Sequence, residues 1–308
     1  MTAYESFMFF VEVVVSGLLA GVMYSLVALG FVLIFKASGV FNFAQGSMVL
    51  FAALCFVGIQ QLGAPLWLAV ILTIVIMIAF AWVVEKLVLR PLVNQEPISL
   101  FMATIGLTFF LDGFGQQIWG SDIKKVDIGV SSQPIILFDG MMYLNPIDLV
   151  AGVIGGVMVF GLAIFFSKTR TGRALRAVAD DHQASLSVGI PLQHIWVIVW
   201  SVAGVVALVA GIMWGSKTGV QFSLSLVALK ALPVLILGGF TSVPGAIVGG
   251  LIIGTGEKLA EVYLPEMIEY MIGVNAGGIE GWFAFMLAMA FLMFRPQGLF
   301  GDKIIERV

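Results

Sequence analysis

The 308 residues carry 18 acidic against 15 basic side chains, a net charge of −3, and the basic residues form no long tract, which excludes a nucleic-acid partner held by charge. Hydrophobic residues make up 60% of the chain and charged residues 11%, with a mean hydropathy of +1.09, so there is no room for a sizeable soluble domain. The composition is that of an all-α polytopic membrane protein forming a single transmembrane domain over 1–308.

Five stretches, 13–35, 37–84, 149–167, 195–216 and 231–256, contain no Asp, Glu, Lys or Arg. A helix needs only about 20 apolar residues to cross a bilayer, and 37–84 is long enough for two spans with Gly63-Ala64-Pro65 as the turn between them. In chain order the pattern predicts spans at 9–35, 41–61, 65–88, 98–120, 147–167, 195–215 and 279–294. Residues 225–262 add a less regular, glycine-rich hairpin, which brings the expected count to eight or nine. The first stretch follows Glu5 and Glu12 with no basic residue before it, so it lacks the positive leader of a cleaved signal and reads as a retained span.

Within the second stretch, Asn42 and Gln45 lie three apart, the spacing of one helical face. Buried amides cost free energy unless they are bonded. Two readings are open: bonding between helices, or lining a pathway for a polar solute. Cys55 is the single cysteine and sits in an apolar run, which suits packing and gives no disulfide framework.

Basic residues concentrate in cytoplasmic loops. Placing Lys36, Lys86, Arg90, Lys168, Arg170, Arg173, Arg176, Arg295, Lys303 and Arg307 inside leaves Lys124, Lys125, Lys217, Lys230 and Lys258 outside or at membrane depth, ten against five. The N-terminus then faces outward. The connection 121–146 is an extracytoplasmic loop, either a solvated cover or a docking surface for an outside partner. The connection 168–194 is cytoplasmic. It reads as a short helix over 173–188, capped by Thr171 or Gly172 and stopped by Gly189 and Pro191, with apolar Leu175 and Val178 set against Arg173, Arg176 and Asp180. Such an amphipathic helix could lie on the membrane surface.

Catalytic constellations are missing. Gly211-x4-Ser216-Lys217-Thr218 fails as a phosphate-binding loop because serine replaces the second glycine and no soluble strand precedes it. His182 and His194 have no metal-ligand spacing, and Asp180-Asp181-His182 reads as a solvated face. Asp112, Lys230 and Glu257 are ionisable groups near apolar segments, where they are functional candidates or interfacial charges.

In the glycine-rich region, residues 226–238 make a helix covering only about 20 Å of a hydrocarbon core roughly 30 Å thick, so it stops inside the membrane. Thr241 or Ser242 can cap a new helix with Pro244 in its first turn, turning a positive helix end inward. Broken helices at membrane depth occur where protein or a water-filled cavity satisfies the backbone. Gly245, Gly249, Gly250 and Gly254 also suit close helix packing, and both readings can hold.

Thr171-Gly172-Arg173-Ala174, Val178-Ala179 and Ser187-Val188-Gly189-Ile190 resemble the cytoplasmic coupling segment of the permeases of branched-chain amino acid ABC importers. Gln183-Ala184-Ser185 followed by Gly189 is similar to the Glu-Ala-Ala-x-x-x-Gly signature of importer permeases, with Gln183 and Ser185 departing from it. Asn42-Phe43-Ala44-Gln45-Gly46, Glu85 with Leu89-Arg90-Pro91-Leu92, Leu237-Gly238-Gly239 with Ser242-Val243-Pro244-Gly245-Ala246, and Arg295-Pro296-Gln297-Gly298-Leu299-Phe300-Gly301 extend the likeness over roughly 10–300.

The resemblance implies a non-catalytic permease subunit of a bacterial inner-membrane ABC importer for a branched-chain or related neutral amino acid. It also implies a second related permease, two cytoplasmic ATP-binding subunits and an extracytoplasmic solute-binding protein as partners, with no cofactor on this chain. Gly172, Arg173, Arg176, Ala184 and Gly189 then belong to the ATPase-coupling surface, and Asn42, Gln45, Ser242, Pro244 and Gly245 to the substrate path. Urea, short amides or aromatic acids are alternative cargoes. A secondary carrier is the rival class, which would need ion-coupling acids such as Asp112 and Glu257.

Overall fold

The computed structural model describes residues 3–92, 95–131, 133–180, 185, 187, 189, 191–273 and 277–301. The helices are α1 (Ala3–Ser38), α2 (Gln45–Gln61), α3 (Leu66–Val84), α4 (Pro97–Trp119), α5 (Pro146–Lys168), α6 (Arg170–Asp180) and α7 (Leu192–Thr218). They are followed by α8 (Val227–Lys230), α9 (Leu232–Gly238), α10 (Val243–Ile272) and α11 (Phe283–Phe294). The chain is a mostly helical, multi-pass membrane protein.

Among the described residues, five helices are long and apolar enough to span a bilayer: α1, α3 continued to Leu92, α4, α5 and α7; a sixth results if the bent pair Phe222–Gly238 and Val243–Met271 counts as one span. The apolar helices α2, with 17 residues, and α11, with 12, are shorter than that. The expected eight or nine spans are therefore not reached by length and composition. In the connection 121–146 the all-helical expectation fails: among the described residues β1 (Ile135–Leu137) and β2 (Met142–Leu144) form an antiparallel hairpin.

Contacts divide the chain into two compact units, 1–28 with 129–159 and 230–308, and 29–128 with 160–229. The second unit is built around α2, in which every residue from Gln45 to Val57 is buried. A helix that is apolar all round needs neighbours on every side, and α3, α4, α7 and the turn Phe222–Leu226 supply them. Small residues set the distances: a Cβ at Gly211 would lie 2.6 Å from the Val49 carbonyl oxygen. The end of α3 winds into a π-helical turn, Glu85–Leu89, which stacks residues five apart. It brings the buried Glu85 into a two-pronged ion pair with Arg90, Nε to Oε1 at 3.1 Å and Nη2 to Oε2 at 3.0 Å.

The first unit is held by a glycine seam. Gly17 and Gly21 of α1 face Gly250 and Gly254 of α10 so closely that a Cβ at Gly21 would lie 2.6 Å from the Gly250 carbonyl oxygen. Two small residues four apart on each helix permit this approach. Ser25 reinforces it by donating to the Ile247 carbonyl at 3.1 Å. The packing reading of Gly250 and Gly254 thus has a named partner in α1.

Candidate functional site: a lashed amphipathic helix and a broken glycine-rich helix

The expected cytoplasmic helix starts earlier than its sequence suggests. Thr169 is the cap: its hydroxyl accepts from the Gly172 N–H at 3.0 Å and its carbonyl from the Arg173 N–H at 3.1 Å. A hydroxyl one residue before the helix satisfies an N–H that has no partner within it, so Thr171 and Gly172 fall inside α6 and do not cap it. Gly189 lies beyond it in a turn, exposed, with φ +86°, where glycine is favoured. Ala184, with Asp181, His182 and Gln183, lies outside the described residues, while Ser185 is buried.

Three of the α6 and junction residues, Thr169, Arg173 and Arg176, close the end of α5. Its last carbonyls have no partners within the helix. Phe165 O accepts from the Thr169 hydroxyl at 2.6 Å, Phe166 O accepts a short hydrogen bond from Arg176 Nη1, Ser167 O accepts from Arg176 Nη2 at 3.5 Å, and Lys168 O accepts from Arg173 Nη1 at 3.4 Å. Cationic side chains at a helix C-terminus also favour its dipole. Gly172 lies directly against this end, where a Cβ would overlap the backbone of Phe165 and Phe166. Leu175 and Val178 are buried, with α7 packed against α6, and Arg170, Arg173 and Ala177 are left exposed on the other side. Of the expected coupling residues, Gly172 and Arg176 are turned into the chain and Arg173 faces outward.

The substrate-path candidates fall in two places. Asn42 and Gln45 do not share a helical face, because α2 begins at Gln45 and Asn42 precedes it in a turn. The Asn42 Oδ1 accepts from the Ala44 N–H at 3.1 Å, a side chain replacing backbone in a tight turn. Thr104 and a run of rings fix that turn: the Phe43 N–H donates to Thr104 Oγ1 at 3.3 Å, and Phe31, Phe41, Phe43 and Phe101 follow one another at 4.7, 4.8 and 5.0 Å between centroids. Gln45 is fully buried against Gly30, and neither its Nε2 nor its Oε1 has a partner among the described residues.

Ser242, Pro244 and Gly245 mark the start of α10. Ser242 Oγ accepts from the Gly245 N–H at 3.0 Å, and Pro244 occupies the first turn, as the sequence predicts. The preceding helix is more broken than expected. Residues 222–226 are a 3-10 turn, α8 is one turn long, and Pro233 restarts the helix as α9, since proline fits a first turn and not an interior. The bend across Gly239–Thr241 is 115°. A feature invisible in sequence closes it: the C-terminal tail docks on the end of α9, with the Leu299 N–H donating to Leu237 O at 2.8 Å and the Phe300 N–H to Gly238 O at 3.1 Å. Gly239, at φ +102°, lies against Gly301 of that tail. Gly245 packs on Gly238 so tightly that a Cβ would overlap its carbonyl.

Near the phosphate-loop look-alike the chain is plain helix: Ser216 and Thr218 bond back to the Met213 and Trp214 carbonyls at 2.9 and 3.0 Å. In α4, Asp112 is half-buried, and its Oδ1 has no partner among the described residues.

The family described as branched-chain amino acid transport system / permease component matches residues 13–294. The high-affinity branched-chain amino acid transport system permease protein LivH of Salmonella typhimurium is 28% identical over 99% of each chain, and LivH of Escherichia coli K12 matches to the same extent. BraD of Pseudomonas aeruginosa, of the same description, is 26% identical over 97% of this chain and 98% of its own. The solved structure of PsaBC from Streptococcus pneumoniae in complex with Fab overlaps 93% of this chain and 91% of that chain with a TM-score of 0.47 at 12% identity, too distant to add to the assignment. Over nearly its whole length, the chain belongs to the permease family of branched-chain amino acid transport systems.

Proposed function

We propose that the chain is the transmembrane permease subunit of a bacterial inner-membrane ABC importer that takes up a branched-chain or related neutral amino acid. Its partners are a second related permease, two cytoplasmic ATP-binding subunits and an extracytoplasmic solute-binding protein, and ATP is hydrolysed on the partner chains. Family membership and the names of the full-length relatives support the cargo class.

The observation that carries the coupling role is the lashing of α6 to the end of α5 through Thr169, Arg173 and Arg176. A helix fixed this way passes a push on its exposed side directly to a span. In this reading Arg170, Arg173 and Ala177 meet a groove of the ATP-binding subunit, and Ala184 and Gly189 are assigned to the same coupling role from the sequence resemblance. Gly172 and Arg176 act from within, by holding α6 on α5. Closure of the ATP-binding subunits then rocks the spans, and solute delivered outside passes inward by alternating access. Gln45 and Asn42 at the start of α2, and Ser242, Pro244 and Gly245 at the positive end of α10, are the proposed contacts along the path.

Ala184→Arg places a long cation on the proposed docking surface. Leucine uptake should fall about tenfold or more while the permease still inserts. Uptake at the wild-type rate, with the complex assembled, would show that 168–194 is only a surface segment.

A further inference from the structure

Glu257 stands near the middle of α10 with its side chain 6% exposed. Lys230 Nζ donates to its Oε1 at 2.9 Å, and the Tyr24 hydroxyl donates to the same oxygen at 3.2 Å. The other oxygen, Oε2, is buried and has no partner among the described residues. Lys230 is more open, with 38% of its side chain exposed. All three residues belong to the unit formed by 1–28, 129–159 and 230–308.

Packing does not account for this group. Removing an ion pair from water costs about as much as the attraction returns, and a well-packed apolar pair of the same volume is often as stable or more so. The glycine seam already joins α1 to α10 without it. Ionisable side chains within spanning segments are rare, costly and by default functional candidates. The arrangement is also incomplete in a specific sense: the carboxylate keeps a buried acceptor, and the ammonium, with three donors, has one of them on Glu257.

We propose that Lys230 and Glu257, steadied by Tyr24, form a station for the zwitterionic head group of a neutral amino acid. The solute ammonium donates to Glu257 Oε2, and the solute carboxylate accepts from Lys230. A zwitterion presents the two charges on one carbon, so it fits a pair whose members already touch and adds no net charge to the buried site. Both new contacts are charge-assisted hydrogen bonds. A solute lacking either charge leaves one member of the pair unmatched, which is how a polar site rejects an analogue. By the distribution of Lys and Arg, Lys230 falls outside or at membrane depth, within reach of solute arriving from outside. The inference rests on the proposed function and names the head-group contacts of that same path.

The test measures leucine uptake by the complete importer in its own membrane, with assembly and basal ATP hydrolysis followed alongside. Lys230→Met/Glu257→Leu replaces the pair by apolar side chains of similar size. Glu257→Gln keeps the shape and the hydrogen bonds from Lys230 and Tyr24, so it reports even if the double variant fails to assemble. The maximal uptake rate should fall roughly tenfold or more in Glu257→Gln and in the assembled double variant, with ATP hydrolysis unchanged, and Glu257→Asp should recover part of it. Wild-type uptake in either assembled variant overturns the station and leaves the importer reading intact. If the wild-type complex accumulates no leucine, isoleucine or valine, the importer reading falls and the station with it.

Discussion

The C-terminal turns of α5 and α9 meet the same requirement with different parts of the chain. At α5 the freed carbonyls are taken mainly by side chains: Thr169 at the junction and Arg173 and Arg176 of α6 reach back, and the Thr169 N–H adds a backbone bond to Phe165 O. At α9 they are taken by backbone, the N–H groups of Leu299 and Phe300 in the C-terminal tail, and closeness is set by Gly238, Gly239 and Gly245. The side-chain closure leaves an amphipathic helix with a free outer side. The backbone closure leaves a helix buried along most of its length, with Leu232 and Ile236 partly open. The first arrangement suits a helix that receives a force, and the second suits a joint that must keep its shape while carrying a positive helix end.

Substitutions should separate the two closures. The largest effect belongs to the backbone closure: Gly245→Val forces side-chain atoms into the Gly238 carbonyl, and destabilisation of about 3 kcal/mol is expected, read as a lower melting temperature and loss of monodisperse protein in detergent. Arg176→Ala leaves the Phe166 and Ser167 carbonyls without their donor and should cost about 2 kcal/mol. Its signature is local: amide exchange over 170–180 should accelerate while 232–260 stays protected. Ser242→Ala removes the α10 cap and should cost about 1 kcal/mol. Ser242→Asp, by contrast, keeps a capping oxygen and tests the solute path, because it adds charge at the positive helix end; uptake should fall with assembly intact. Arg173→Ala, which removes an exposed 3.4 Å contact, should be the mildest, at about 0.5 kcal/mol or less.

Much of this was legible in the sequence, for physical reasons. Uncharged runs longer than a bilayer is thick specify spanning helices, and Thr241 or Ser242 ahead of Pro244 marks a helix start, with the choice of Ser242 made by the structure. What escaped depends on contacts distant along the chain. Nothing local to Leu237 or Leu299 indicates that the tail docks on α9, and spacing alone put Asn42 on a helix that begins only at Gln45. Glu85 and Arg90 were both visible as charges, but their pairing needs a π-helical turn that propensity does not predict. Thr169 does not stand out in sequence as the α6 cap because Thr169, Thr171 and Gly172 lie within four residues, and only the geometry of Gly172 against α5 selects among them. The expected count of spans rested on the apolar character of α2 and α11, whose lengths sequence composition does not fix.

Co-purification of ATP-binding subunits tests the central claim most directly, because the account makes the outer side of α6 their docking surface. Ala177 is exposed on that side, so Ala177→Arg should leave the fold unchanged. Wild-type permease solubilised from its native membrane is predicted to bring ATP-binding subunits with it, and the Ala177→Arg variant to lose them about tenfold or more with its melting temperature preserved. Equal recovery of those subunits with Ala177→Arg and with wild type, or none with either, would contradict the account.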